Sequence, residues 1–225
     1  MIVASHQPNF LPYMGFFYKM YMCDVFTLSD TVMFSRSGFH NYNYIRTDME
    51  KSKLTVPVTN KNGLIRDVEL CEWEHNRNKL IKRLQTDYGR APYFDFVFPH
   101  IEFELRQGYV RMSDLNESLI KVCSDLLGID CHIIKESLLD ITGDAPTAQI
   151  ADICKKTKCR TYLSGTGAKE YLDEELLRKS GVKVIWSSYE PDQSNLSVLH
   201  YLMQNGPTLP DGWKQEREEL HKWAI

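Results

Sequence analysis

Ile2, Val3 and Ala4 form a short apolar run that stops abruptly at Ser5-His6-Gln7-Pro8-Asn9, after which the chain resumes as Phe10-Leu11-Pro12-Tyr13-Met14-Gly15. Apolar runs bounded by turn residues predict buried strands. Aromatic and Met positions at helical spacing over Gly15–Met22 predict a helix, and Asp24–Leu28 (DVFTL) reads as a second buried strand. Strand, loop, helix and strand in succession open a parallel α/β sheet. The loop after the first strand holds two prolines, which fix φ and bias the preceding residues away from helix. It should therefore be rigid, and it lies where open α/β sheets place their ligands, at the carboxyl end of a strand.

Further along, Thr31–Phe34, Leu54–Val58 (LTVPV) and the alternating Leu64–Leu70 (LIRDVEL) read as short strands, the last at an edge. Helical patterns run over Asn76–Gly89 and Ile101–Leu127, with Ser113 or Asp114 as an N-cap and Gly128 as a stop. Cys131–Ile134 is another apolar run. Thr147–Lys156 (helix), Thr161–Leu163 (strand), Ala168–Ser180 (helix, closed by Gly181) and Val182–Trp186 (strand) repeat the alternation of the N-terminus. Ser197–Gln204 is a last amphipathic helix, followed by a polar helical tail. The expectation is one α/β domain over residues 1–225, a three-layer, mostly parallel Rossmann-like sheet flanked by helices, with a helical C-terminal part from about residue 197.

Composition narrows the function classes. A formal net charge of -3 lacks the basic excess of a nucleic-acid binder. There is neither a signal-peptide pattern nor an apolar run long enough for a membrane span. Six cysteines without a C-x-x-C pair read as reduced, mostly interior thiols. Metal and nucleotide fingerprints (H-E-x-x-H, Walker loop, G-x-G-x-x-G) are absent, and no metal site is expected.

Four constellations carry chemistry. Ser5, His6, Gln7 and Asn9 present an imidazole and two amides on the proline-fixed loop. Asp30 follows the second strand, on the same sheet edge, where a carboxylate can fix the tautomer of His6 and raise its basicity. Asp24, before that strand, belongs to the opposite edge. Asn41, Asn43 and Arg46 alternate with Tyr42 and Tyr44, Arg46 offering a planar fork for carboxylate or phosphate. In Ser164-Gly165-Thr166-Gly167, glycines between a strand and a helix let backbone N–H groups face an anion.

The phrases Ser5–Gly15 (SHQPNFLPYMG), Asp24–Asp30 (DVFTLSD), Asn41–Arg46 (NYNYIR), Leu54–Val58 (LTVPV), Tyr88–Phe94 (YGRAPYF), Tyr162–Asp173 (YLSGTGAKEYLD) and Asn205-Gly206 (NG) together resemble the WbqC-like protein family, from about Met1 to Pro207. That family's pattern reads Asn-Arg-Asn where Asn41-Tyr42-Asn43 stands, and Ser-x-x-Asp where Ser197-Val198-Leu199-His200 stands. The resemblance implies a cytoplasmic enzyme of bacterial O-antigen or surface-polysaccharide biosynthesis that transfers glycine or another small acyl group to a nucleotide-linked amino sugar. The donor would be an acyl or aminoacyl thioester carried by CoA or a carrier protein.

On this reading His6 is the base, oriented by Asp30, while Gln7, Asn9 and Asn43 position the substrate or the oxyanion. Arg46 and Ser164, Gly165, Thr166 and Gly167 hold an anionic donor or sugar-nucleotide phosphate, and Tyr13 and Asn41 complete the expected binding set. Two rivals predict different behaviour. An ATP-dependent acyl-activating, nucleotidylyltransferase-like enzyme would release pyrophosphate. A non-catalytic binding protein of the pathway would bind without turnover.

Overall fold

The computed structural model describes residues 1–46, 50–190 and 195–223. Five parallel strands, β1 (Ile2–His6), β2 (Val25–Leu28), β5 (His132–Lys135), β6 (Thr161–Ser164) and β7 (Lys183–Trp186), form a sheet in the order β5-β2-β1-β6-β7. The chain starts at the centre, builds outward through β2 and β5, then returns to add β6 and β7 on the other side. That reversal puts a topological switch point between β1 and β6, where doubly wound sheets bind ligands.

Period-two alternation explains the three layers. Ile2, Ala4, Phe26, Leu28 and Leu163 belong to the larger core, which includes residues of helices α1 (Met14–Met22), α2 (Trp73–Tyr88), α3 (Phe94–Leu105), α4 (Met112–Leu126) and α7 (Val198–Asn205). Val3, Val25 and Tyr162 belong to a second core with α5 (Pro146–Lys156) and α6 (Glu174–Lys179). The last helix, α8 (Trp213–Trp223), is tied to α1 by a hydrogen bond from Tyr18 Oη to Glu216 at 2.6 Å.

Between β2 and β5 the chain inserts an antiparallel hairpin, β3 (Tyr42–Arg46) and β4 (Lys51–Thr55), and then α2, α3 and α4. Several expected boundaries move. Thr31–Phe34 is a turn with one isolated bridge, Met33 to Leu64. Leu64–Leu70 holds a 3-10 turn at Ile65–Asp67 instead of an edge strand, because Ile65 and Arg66 donate to the carbonyls of Val32 and Asp30. The strand expected at Leu54–Val58 begins earlier, at Lys51, and ends at Thr55.

The long helix expected over Ile101–Leu127 is two helices. Residues 110–112 are pulled out to pair with 68–70, through Leu70 N–H to Val110 O and Met112 N–H to Val68 O. Ser113 and Asp114 consequently lie inside the first turn of α4, whose N-cap is Arg111, and Asp114 binds Lys135 Nζ at 2.6 Å. Gly128 does end α4, with a φ of 67° that glycine accepts readily. The helix expected over Ala168–Ser180 breaks into a 3-10 turn (Thr166–Glu170) and α6, which Asp173 caps through Leu176 N–H at 3.0 Å.

Candidate active site at the sheet switch point

β1 follows β2 in register as far as His6 and Leu28, but it pairs with β6 only at Ile2–Thr161 and Val3–Tyr162. Beyond Val3 the two strands are no longer bonded, and this is where the His6 loop leaves the sheet. The loop's carbonyls are satisfied largely by buried side chains. Asn116 Nδ2 donates to Pro8 O at 2.8 Å and to His40 O at 2.7 Å. Asn43 Nδ2 donates to Phe10 O at 3.3 Å and Leu11 O at 2.7 Å, while its Oδ1 accepts the Tyr44 N–H. Phe10 N–H donates to Phe39 O, and Val198 N–H to Pro12 O. A buried proline-rich loop has few regular backbone partners, so side-chain amides have to supply them.

Above this loop lies a pocket of about 340 Å³. His6, Gln7, Asn9, Tyr13 and Asn43 line it, with Phe39 as an aromatic wall and Gly38 and Asn195 at its margin. None of these lining side chains carries a full charge. The volume sits near the lower end of the range for small-molecule sites.

His6 is oriented by its own loop. Its Nδ1 faces the Gln7 carbonyl at 3.0 Å and must carry the proton, which leaves the Nε2 lone pair for the pocket. Its ring meets Phe16 edge-on at 5.0 Å. Burial, then the nearby Lys19 ammonium, lowers its pKa to about 3, so the imidazole stays neutral at ordinary pH. Gln7 is held by His40, whose Nε2 lies 2.9 Å from Gln7 Oε1. Asn9 is only 4% exposed, and its Oδ1, shielded from solvent, has no hydrogen-bond partner among the described residues. Gly15 makes room for the aromatic margin, since a Cβ there would overlap the Tyr13 ring and lie 2.6 Å from Tyr189.

Asp30 does not orient His6. Its carboxylate accepts both the backbone N–H of Ser137 at 2.9 Å and the Ser137 hydroxyl at 2.6 Å, which anchors the chain just after β5. The carboxylate nearer the end of β1 is that of Glu136, which accepts the hydroxyls of Thr27 (2.7 Å) and Ser29 (2.8 Å). Thr27 in turn contacts Ser5 Oγ at 2.6 Å. Lys19 Nζ donates to the Ser5 carbonyl at 2.7 Å, and burial lowers this amine to about 8. A buried polar network thus supports the strand end from below.

The remaining expected residues lie elsewhere. Asn41 donates to Val56 O at 2.8 Å, and this bond ties the start of β3 to the end of β4. Arg46 is exposed at the end of β3, next to residues 47–49, which lie outside the described ones. Ser164, Gly165, Thr166 and Gly167 stand at the carboxyl end of β6, on the same sheet edge as His6 but outside its pocket. The Ser164 hydroxyl turns onto Gly165 O, and the space beside Gly165 and Gly167 where a Cβ would stand is open. Asp24 lies at the opposite edge and accepts the Ile2 N–H at 2.7 Å. All six cysteines are free thiols.

Sequence reasoning missed Lys19, His40, Asn116 and Glu136. Asn116 left a signal, a lone amide in the apolar stripe Leu115–Leu119–Ile120–Cys123 of α4. Lys19 likewise sits within the aromatic and Met run of α1.

Fold and site together define a Rossmann-like α/β protein with an uncharged, amide-rich pocket at its switch point. The family model for the WbqC-like protein family matches residues 7–211, and the chain belongs to that family. It is also similar to an uncharacterized protein of Mycobacterium tuberculosis, Rv1507c, with 25% identity over 228 residues, covering 93% of this chain and 96% of the relative. Tyr42 carries Lys53 Nζ over its ring at 3.6 Å, and His200 Nδ1 lies 3.2 Å from Tyr88 Oη. Among the described residues no helix is long and apolar enough to cross a membrane.

Proposed function

We propose that this protein is a cytoplasmic acyl- or aminoacyltransferase that forms an amide on an amino sugar, nucleotide-linked, in bacterial O-antigen or other surface-polysaccharide biosynthesis. The observation that carries this reading is that His6, its Nδ1 turned onto the Gln7 carbonyl, lines one uncharged pocket together with Gln7 and Asn9. An attacking amine needs an acceptor for its N–H, and the neutral His6 imidazole offers Nε2 as one. Amide and aromatic side chains without formal charge also suit a neutral, hydroxylated ring better than a phosphate.

In the reaction the amine nitrogen attacks the thioester carbonyl of a CoA- or carrier-bound donor. A C–N bond forms, and the C–S bond breaks as the tetrahedral intermediate collapses. His6 Nε2 takes the nitrogen's surplus proton and returns it to the departing thiolate. An imidazole held at about 3 is too weak a base to strip a free alkylammonium. It suits the more acidic N–H of the tetrahedral intermediate, and the acceptor enters as free amine. Gln7 N–H groups stabilise the developing oxyanion.

The open backbone at Gly165 and Gly167 supports a place for the donor's anionic part along the β6 edge. Arg46, outside the pocket, serves only the outer phosphate end. The test is His6→Ala, assayed for amide formation with amino-sugar nucleotides and acyl or glycyl thioesters. Turnover should fall by about a hundredfold or more. Near-normal turnover removes His6 from the mechanism, and binding without turnover in the unmodified protein favours a binding role.

A further inference from the structure

Cys23 and Cys131 stand 108 positions apart in sequence, yet their sulfurs lie 3.7 Å from each other. The sheet brings them together. β2 and β5 pair in parallel from Val25 and His132, and the His132 N–H donates to the Asp24 carbonyl. Cys131 therefore enters its strand beside Asp24, one residue from Cys23, the C-cap of α1. Neighbouring strands run about 4.8 Å apart, which falls within the Cα separation of about 4.4–6.8 Å that a disulfide bridges. Among the described residues no other thiol–thiol contact is present.

The contact has a direction. Cys23 donates its only S–H to the Met20 carbonyl at 3.4 Å, so Cys131 is the donor between the two sulfurs and a Cys23 lone pair faces Cys131. Exposure differs in the same sense, since Cys23 is fully buried and Cys131 is partly open to solvent. Burial, above all, holds the Cys23 thiol well above its ordinary range, so the first encounter with an oxidant belongs to Cys131.

We infer that Cys23 and Cys131 are a redox-active pair, a modification site at the amino edge of the sheet that closes into an intramolecular disulfide on reaction with a small disulfide such as oxidised glutathione. The Cys131 thiolate attacks one glutathione sulfur, so that a mixed disulfide forms and the first glutathione leaves as thiolate. Cys23 then attacks the Cys131 sulfur, an S–S bond forms between the two cysteines, and the second glutathione departs. The protein thiols lose two electrons and two protons, which two molecules of reduced glutathione carry away. The bridge joins the end of α1 to the start of β5. Lys19, one turn earlier in α1, and Glu136, just past β5, belong to the network beneath His6, so the crosslink ties the two elements that hold that network. The inference is independent of the proposed transfer reaction.

The test is incubation of the folded protein with reduced and oxidised glutathione in graded ratios, followed by alkylation and peptide mass mapping. The expected product has lost two hydrogens, holds one Cys23–Cys131 disulfide and returns to the dithiol with dithiothreitol. Closing so long a loop should raise the melting temperature by about 5 °C or more. Cys23→Ser should stop with one glutathione attached to Cys131, whereas Cys71→Ser should form the bridge as the unmodified protein does. Thiols left intact in the folded protein, a mixed disulfide at Cys131 that persists with Cys23 present, or Cys131 joined to the nearby Cys159 would each overturn the inference.

Discussion

Asn43 Nδ2 donates to the Leu11 carbonyl at 2.7 Å, and Leu11 is held there with a φ of 41°, a left-handed conformation that leucine rarely adopts. Asn43 thereby fixes the turn that aims Asn9 and Tyr13 at the pocket, so its first duty is to the loop. Asn43→Ala leaves the buried carbonyls of Phe10 and Leu11 without this donor. Stability should fall by about 1–3 kcal/mol. Thermal melts should register this as a loss of several degrees, since each kcal/mol shifts a chain of this size by about 2–4 °C.

Gly15→Ala tests the aromatic margin. The added methyl overlaps Tyr13 and crowds Tyr189, so at least one ring must leave its place. Overpacking of this kind costs about 1–3 kcal/mol. Ligand binding should weaken more than in an exposed control such as Gly108→Ala, where a Cβ meets no atom within 4 Å. Titration calorimetry on both variants checks this.

Asp30 and Lys19 separate support from tuning. Because Asp30 is spent on Ser137, Asp30→Asn should lower the melting temperature and leave the titration of His6 unchanged. Lys19→Met removes a cation that disfavours the imidazolium, so the His6 pKa should rise. Histidine ring NMR across a pH series distinguishes the two outcomes. A His6 shift in Asp30→Asn would restore the carboxylate–imidazole pairing that the structure denies.

The depressed imidazoles also set a stability profile. His6 at about 3 and His40 at about 4 lie below their ordinary value of 6.5, so the unfolded chain binds more protons between those limits. Their contribution is complete above pH 6.5 and is lost as pH falls toward about 3–4. Urea melts should therefore show stability declining over that window, and His40→Gln should flatten part of the decline. For the same reason, activity should show no acid limb near pH 6.5 arising from His6.

The sheet was legible because its strands are short apolar runs cut off by turn residues, and the alternation of β1, α1 and β2 then of α5, β6 and β7 follows from local pattern alone. Breaks imposed from a distance were not. Nothing within Ile101–Leu127 announces that residues 110–112 will pair with 68–70. The site divides in the same way. His6, Gln7, Asn9 and Tyr13 share one rigid loop, and local reading finds them together. Asp30's partner is 107 residues away, His40 lies in the long crossover between β2 and β5, and Glu136 follows β5, so only the tertiary fold brings them to the site. Asn41 and Asn43 looked equivalent by alternation, but one ties the hairpin and the other clamps the loop.

A crystal structure of the protein with an amino-sugar nucleotide bound would show whether His6 faces the reacting amine. The amine nitrogen should lie at hydrogen-bond distance, about 3 Å, from His6 Nε2, with the sugar against Phe39. A ligand seated elsewhere on the sheet edge, with the His6 pocket left empty, would contradict it.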